Sequence, residues 1–347
     1  MPPAELIDGS AADFSSGRTD GGAHVAQTLA GEVILTPKVA GEFTGDALPA
    51  GWTVTPWVEG GRGTLEDGML SLDGASVRCD PVMLSPRSLE FSAVFAPRPD
   101  QHAGLGTDFV DVPWVMFSTK WGRRLYGRTH LLNVDDKRLA GDWFDAPHRF
   151  RIDWNILDII FSVDDARLAH LMVPMPGYMR ALAANQRLGQ QPLRIEWMRL
   201  SPYPPSGRFT SRVFDAGSVA EWHSATWAAD VPEGTSLAVS VRTGDTARPG
   251  RSWTPWRRLR RSGDAVLAAA SRHLQYRVDL ATTDPTRTPV LREVRLRYSA
   301  AGPGGRSGDA AGPGGRSGDA AGPGDAAASG SGDSSNSFVS GRRLGCQ

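Results

Sequence analysis

Between Gln101 and Asn133 the chain gathers aromatic rings and planar hydrogen-bonding groups: Gln101, His102, Asp108, Trp114, Trp121, Tyr126, Arg128, His130 and Asn133. These residue types together suit a sugar, whose C–H faces pack on rings while amides, guanidiniums and carboxylates meet its hydroxyls. Half or more of the aromatics would serve equally well as core, because large rings are mostly buried in folded proteins. Tyr126 and Arg128 share a face if Leu125 to His130 is a strand. Carboxylate chemistry is poorly served by the same stretch. Asp108 and Asp111 stand an odd number of positions apart, so on a regular strand they point in opposite directions. A pair drawn from separate strands, Asp108 with Glu196 or with Glu90, stays open, although solvated sheet residues are the plainer reading.

Other chemistries find little support. Asp135-Asp136 through Asp142 and Asp145 could offer oxygen ligands to Ca²⁺, but the spacing is not that of an EF-hand and a solvated loop is preferred. Histidines 24, 102, 130, 148, 170, 223 and 273 show no metal spacing, so no cofactor is implied. His148 reads as a structural hydrogen-bonding residue. Cys79 and Cys346 form neither a redox nor a zinc motif, and no glycine pattern of a nucleotide site precedes a helix.

The elements that would position these residues are strands. In Arg149 to Trp154, Phe150, Ile152 and Trp154 share one face while Arg149, Arg151 and Asp153 share the other. A turn at Asn155 to Asp158 and a return over Ile159 to Val163 complete a hairpin. Ser88 to Phe95, Leu193 to Trp197, Leu237 to Val241, Leu274 to Leu280 and Arg292 to Tyr298 alternate similarly, with Gly, Pro, Asp and Ser clusters between them. Trp154 and Trp197 alternate with aliphatics and read as core. Tyr178 to Leu188 alone looks helical, and Pro-Met-Pro-Gly before it limits it to a turn or two. The expected fold is all-β: two antiparallel β-sandwich (jelly-roll type) domains and a disordered C-terminal tail.

Boundaries follow from composition. Residues 1–40 read as an arm that adds a strand to one of the sandwiches, with the choice open. The first sandwich then occupies 41–204 and ends at the proline-rich Ser201–Gly207 connector. The second occupies 205–299. Residues 300–347 repeat Ala-Ala-Gly-Pro-Gly-Gly-Arg-Ser-Gly-Asp and have almost no side chain to bury, so they cannot offset their ordering entropy.

The 347 residues carry a formal net charge of zero, so no global field draws the protein to nucleic acid or membrane. Within 206–299 the balance is +6, centred on Arg257-Arg258-Leu259-Arg260-Arg261. A charge-protected edge strand is preferred there to a polyanion site. No apolar run is long enough to span a bilayer, and Met1 to Ser10 lacks the basic and apolar regions of a signal peptide.

Residues from about Glu42 to Tyr203 resemble the concanavalin A-like lectin/glucanase superfamily, including the LamG and family 16 glycoside hydrolase types. The resemblance rests on Phe43-Thr44-Gly45 to Leu48-Pro49-Ala50-Gly51-Trp52, on Pro147 to Trp154 followed by Ile159 to Asp165, and on Pro192 to Leu200. It implies a jelly roll with ligands on its concave face. Retaining enzymes of that superfamily carry Glu-x-Asp-x-x-Glu on one strand of that face, and their chemistry needs two carboxyls roughly 5 Å apart. The counterpart strand here, Trp114 to Thr119, offers Trp114, Met116 and Ser118 at the alternate positions, and the motif occurs nowhere in the chain. Phe209 to Tyr298 resembles small accessory β-sandwiches of bacterial surface proteins. The resemblance therefore implies a non-catalytic carbohydrate-binding or surface-associated protein whose partner is a carbohydrate or cell-surface polysaccharide. The alternatives are a glycosidase with an atypical carboxylate pair and a purely structural or adhesive display module. Related domains are usually extracellular, which leaves localisation open here, as it does oligomeric state.

Overall fold

Period-two patterning dominates the chain, and the computed structural model is accordingly built from strands, with one short helix among the described residues, at Ala11–Ser15. It describes residues 3–28 and 30–300. The expected tail beyond Ala300 lies outside the described residues. The helix is capped by Ser10, whose hydroxyl accepts the Asp13 backbone N–H at 3.1 Å.

The middle of the chain forms a sandwich of two antiparallel sheets. Taken by spatial order, the seven-stranded sheet runs Val134–Arg138, Arg124–His130, Trp114–Lys120, Gln101–Gly106, Arg180–Asn185, Ala75–Cys79, Trp52–Pro56. The eight-stranded sheet runs Ala166–Leu171, Ile159–Val163, His148–Trp154, Arg87–Val94, Leu193–Leu200, Met69–Asp73, Arg62–Glu66, with Val39–Glu42 also pairing Leu193–Leu200. Between them lies an aromatic core. Phe117 of the seven-stranded sheet meets Phe150 and Phe161 of the other, both at 5.1 Å between centroids. Glycine is required at Gly127, where a Cβ would come within 2.7 Å of the Phe161 ring. The Phe150–Ile152–Trp154 alternation expected from sequence faces this core, and all three are fully buried.

Two expectations fail here. Arg180–Asn185 is an interior strand rather than a helix. Its small alanines fit where both sheet faces are covered, so tertiary packing overrides the helix propensity of Ala and Leu. Trp197 is buried but does not face the core. The register between Arg87–Val94 and Leu193–Leu200 shifts at Ser92/Ala93, and this bulge turns Ile195 and Met198 inward while Trp197 stands outward under Arg199.

A second core is built from both ends of the described chain. Ala4–Asp8 pairs Val290–Ala300, Arg18–Thr19 pairs Ser206–Thr210, and Ala23–Ala26 pairs Glu32–Leu35, which meets Val290–Ala300 at Val33 and Leu291. The long strand Phe214–Asp230 pairs Ser271–Thr282 near its start and Val290–Ala300 along the rest, so it passes from one layer to the other at a corner. Phe209, Phe214, Trp222, Leu274, Tyr276 and Leu296 fill the space between. The first strand is pinned by Asp8, which is fully buried, accepts the Tyr276 hydroxyl at 2.8 Å and pairs Arg212 at 2.8 Å. The basic cluster begins on the edge strand Arg257–Arg258, exposed and paired only with Thr235–Gly244.

The two sandwiches belong to one compact unit. Charged side chains join them. Arg151 reaches Glu90 at 2.7 Å, also pairs Asp153, and donates to the Thr286 carbonyl of the second sandwich at 3.0 Å. Arg199 pairs Glu32 of the arm at 3.0 Å, and Glu32 also holds Arg292.

Candidate functional site

The face of the seven-stranded sheet turned away from the core collects most of the candidates, and strand register explains why. Directly opposed residues of antiparallel strands lie on one face. Trp114 opposes His130, Met116 opposes Arg128, Ser118 opposes Tyr126 and Lys120 opposes Arg124. Across the next pairs, Tyr126 opposes Arg138 and Arg128 opposes Asp136. On the other side His102 opposes Ser118, and Gly106 opposes Trp114. His102, Trp114, Tyr126, Arg128 and His130 therefore share a surface, with Leu125–His130 a strand as the alternation requires.

The centre of that surface is filled by the chain itself. The loop between Gly106 and Trp114 folds back so that Phe109 packs with Trp114, Met116, Leu182 and Ala184, and Trp57 leans on the same cluster. Phe109 holds a left-handed backbone, φ +67, which is costly for a bulky residue and persists because its ring is buried. Gly106 lies beneath it and leaves the room. Asp108 shapes the loop, its carboxylate accepting the N–H groups of Val110 at 2.8 Å and Asp111 at 2.9 Å.

Beside this plug lie two open regions. One is a depression of about 300 Å³ lined by Thr55, Trp57, Ser76, Arg78, Asp108 and Leu182. The other is a cationic lobe over the three strands from Trp114 to Arg138. Asp136 accepts from both Lys120 and Arg128. Burial alone would raise the Asp136 carboxyl, but these two hydrogen bonds outweigh it and hold the group below the usual carboxylate range. Arg128 also lies over Trp114 at 5.5 Å, and Lys120 over Tyr126 at 4.6 Å.

His102 is buried on this face, and its Nδ1 has no hydrogen-bond partner. Burial, reinforced by the positive charge of Arg128, pulls its imidazole down to about 4. It is neutral at physiological pH. Trp121, in the turn between two of these strands, is 63 % exposed and offers an open ring with Arg187 at 5.7 Å from its centre.

Two candidates stand apart. Gln101 points to the opposite face of its strand, where its amide is used up: it accepts the Ala96 N–H at 2.7 Å and donates to the Gln191 carbonyl at 2.9 Å. Its parity, opposite to that of His102, is the reason. Asn133 is exposed in the turn beyond His130, off the sheet surface. The acidic stretch weighed for Ca²⁺ does not converge. Asp136 is held by Lys120 and Arg128, while Asp142 and Asp145 both pair Arg123. Among the described residues no group of His, Cys, Asp or Glu is arranged to hold a metal. The Asp164 carboxylate accepts from the His148 ring at 2.7 Å beside the hairpin turn, a structural contact.

The carboxylate pairs proposed across strands also come apart. Asp108 belongs to the loop over the seven-stranded sheet. Glu90 and Glu196 sit on the eight-stranded sheet, Glu90 held by Arg151 and Glu196 accepting the Ser92 hydroxyl at 2.9 Å. Sheets packed about 10 Å apart place carboxyls on their two outer surfaces well beyond the separations that glycoside hydrolysis uses.

Sequence reading missed Lys120, Arg124, Arg138, Arg180 and Phe109 as members of this surface. Parity along Arg124–His130, carried across to its neighbours, would have found the cations. Nothing in the sequence marks the inward fold of Phe109.

No protein-family model matches the chain. No curated protein matches it either. Solved structures with a similar backbone include a Bacillus licheniformis β-glucanase, 14 % identical over 48 % of this chain and 98 % of its own, with a TM-score of 0.36. An endo-β-1,3-glucanase from Pyrococcus furiosus is 11 % identical over 52 % of this chain and 97 % of its own, TM-score 0.39. A glycosyl hydrolase family protein from Mycobacterium fortuitum is 15 % identical over 48 % and 100 %, TM-score 0.37. Among the described residues no helix is long and apolar enough to cross a membrane.

Proposed function

We propose that the outer face of the seven-stranded sheet binds carbohydrate without cleaving it. One observation carries this reading. The strand Trp114–Lys120 presents Trp114, Met116 and Ser118 outward, all buried and none able to act as a carboxylate acid or nucleophile. The nearest sheet carboxylate, Asp136, is kept ionised by two cations and is thereby unsuited to donate a proton. What the surface does offer is recognition chemistry: the open Trp121 ring, the partly exposed Tyr126, and guanidiniums and hydroxyls beside them. Trp114 is not a platform in this reading, since its ring is enclosed by Arg128 and His130. Affinity gel electrophoresis against a panel of soluble polysaccharides tests the proposal. At least one should retard the protein, and Trp121→Ala and Tyr126→Ala should each weaken the retardation. Unchanged mobility in every gel would overturn it.

A display role is the second reading, and the apolar plug at Phe109 favours it, because a face filled by its own side chains has less room for a ligand. It predicts that no polysaccharide is bound while the fold stays intact.

A further inference from the structure

Charge is unevenly distributed on this sheet face. Lys120, Arg124, Arg128 and Arg138 project from three adjacent strands, placed together by the registers Lys120–Arg124, Tyr126–Arg138 and Arg128–Asp136. Asp136 is the one carboxylate among them, and it is shared by Lys120 and Arg128. Arg124 and Arg138 make no ion pair among the described residues, and both are exposed. Residues two apart on a strand are separated by about 6.7 Å and adjacent strands by about 4.8 Å. The four cations therefore cover a patch roughly 15 Å long and 10 Å wide, the footprint of two or three sugar residues.

From this juxtaposition we infer that the ligand of the face is a polyanionic glycan, a linear polysaccharide bearing carboxylate or sulfate groups, rather than a neutral glucan. The inference rests on the carbohydrate-binding reading and narrows it. Protection of a sheet edge accounts for charge on Val134–Arg138 itself, the edge strand. It does not account for Arg124 and Lys120, which stand one and two strands further in. On the outer face of the eight-stranded sheet, by contrast, Arg149 stands beside Asp165, and Arg151 beside Glu90 and Asp153. The cationic lobe departs from that pattern. Its aromatic content argues against single-stranded nucleic acid, which uses several open rings for successive bases. Here Trp121 is open, whereas Lys120 lies over the Tyr126 ring.

Titration calorimetry of the full chain decides it, using polygalacturonate, the same polymer after carboxyl reduction, dextran sulfate, a neutral β-glucan, and single-stranded DNA of comparable charge. The inference predicts that polygalacturonate or dextran sulfate binds at least about tenfold more tightly than the neutral polymers, and that this advantage shrinks as salt is raised through the range that screens exposed charge. The difference between the two acidic polymers tells carboxylate from sulfate. Arg124→Glu with Arg138→Glu should abolish the preference, and both positions are exposed and unpaired, so the fold is retained. Arg257→Glu with Arg258→Glu, on the second sandwich, should leave it unchanged. Binding of both polygalacturonate and dextran sulfate no tighter than that of the neutral polymers would overturn the inference while leaving carbohydrate binding standing. Binding of no glycan would overturn both. DNA bound as tightly as the acidic glycans, with the same dependence on Arg124 and Arg138, would replace a glycan by a nucleic acid.

Discussion

The first sandwich has two outer faces, and they handle charge in opposite ways. On the eight-stranded sheet the charges that face the second sandwich have partners. Arg151 is bracketed by Glu90 and Asp153, and Arg199 is held by Glu32 within a deeply buried network. Burial opposes ionisation of Glu90, yet Arg151 holds its carboxyl below the usual range. That face is covered by the second sandwich, which adds Glu32, Asp230, Thr286 and Arg292 to it. On the seven-stranded sheet cations outnumber carboxylates, a plug of apolar residues fills the middle, and no other part of the described chain covers the cationic lobe. Balanced charge marks the surface where the two sandwiches join. Unbalanced charge marks the surface for which a ligand is proposed.

Mutations that remove one cation from each face should break or sharpen this contrast. Of these, the largest effect is expected at Arg199→Ala. Removing Arg199 leaves the mostly buried Glu32 with only the part-exposed Arg292 as a partner, which should cost about 3 kcal/mol. Arg199 is 3 % exposed, and denaturant unfolding should show a loss of that size. A loss as small as that of an exposed arginine would dissolve the contrast. Phe117→Ala, in the aromatic core between the sheets, should cost a similar amount, about 3–5 kcal/mol by cavity formation.

Acid provides the next largest effect. His102 takes up its proton at about 4 in the folded protein and near 6.5 in an unfolded chain. As pH falls the unfolded state binds that proton first, so the stability tied to a neutral His102 is complete above pH 6.5 and is lost between 6.5 and 4. It amounts to up to roughly 3 kcal/mol. His102→Gln should therefore lose less stability than the native protein over that window, as read from unfolding midpoints at several pH values. Parallel pH curves for the two would show that the imidazole is not held neutral.

Arg128→Ala should have the smallest effect on stability, under about 1 kcal/mol, because its pair with Asp136 is partly exposed. Its effect on ligand retention should be large. An Arg128→Ala protein that unfolds readily but binds as before would invert the assignment of the two faces.

Much of this architecture is legible in the residues. Period-two runs such as Arg149–Trp154 and Ser88–Val94 fix both strand identity and the inward face, since only one parity is apolar. The hairpin turn at Asn155–Asp158 is equally plain. Arg180–Asn185 was hidden because alanine and leucine favour helices locally, and only the sheet around them makes a strand of them. Trp197 was misread because a bulge reverses parity without altering the sequence pattern. The way the first strands join Ser206 to Ala300 was also invisible, because strand partners far apart in sequence leave no local trace. At the site, residue type selected His102, Tyr126 and Arg128, and alternation would have excluded Gln101. The plug depends on a left-handed Phe109, a conformation its residue type does not announce.

The central claim is that the outer face of the seven-stranded sheet binds a polysaccharide and leaves it intact. Incubating the full chain with the polysaccharide it binds best, and assaying both bound protein and newly formed reducing ends over time, tests this most directly. Binding that depends on Trp121 and Arg128, with no reducing ends above the background of a heat-inactivated sample, is the predicted result. Steady release of reducing ends by the native chain would contradict it.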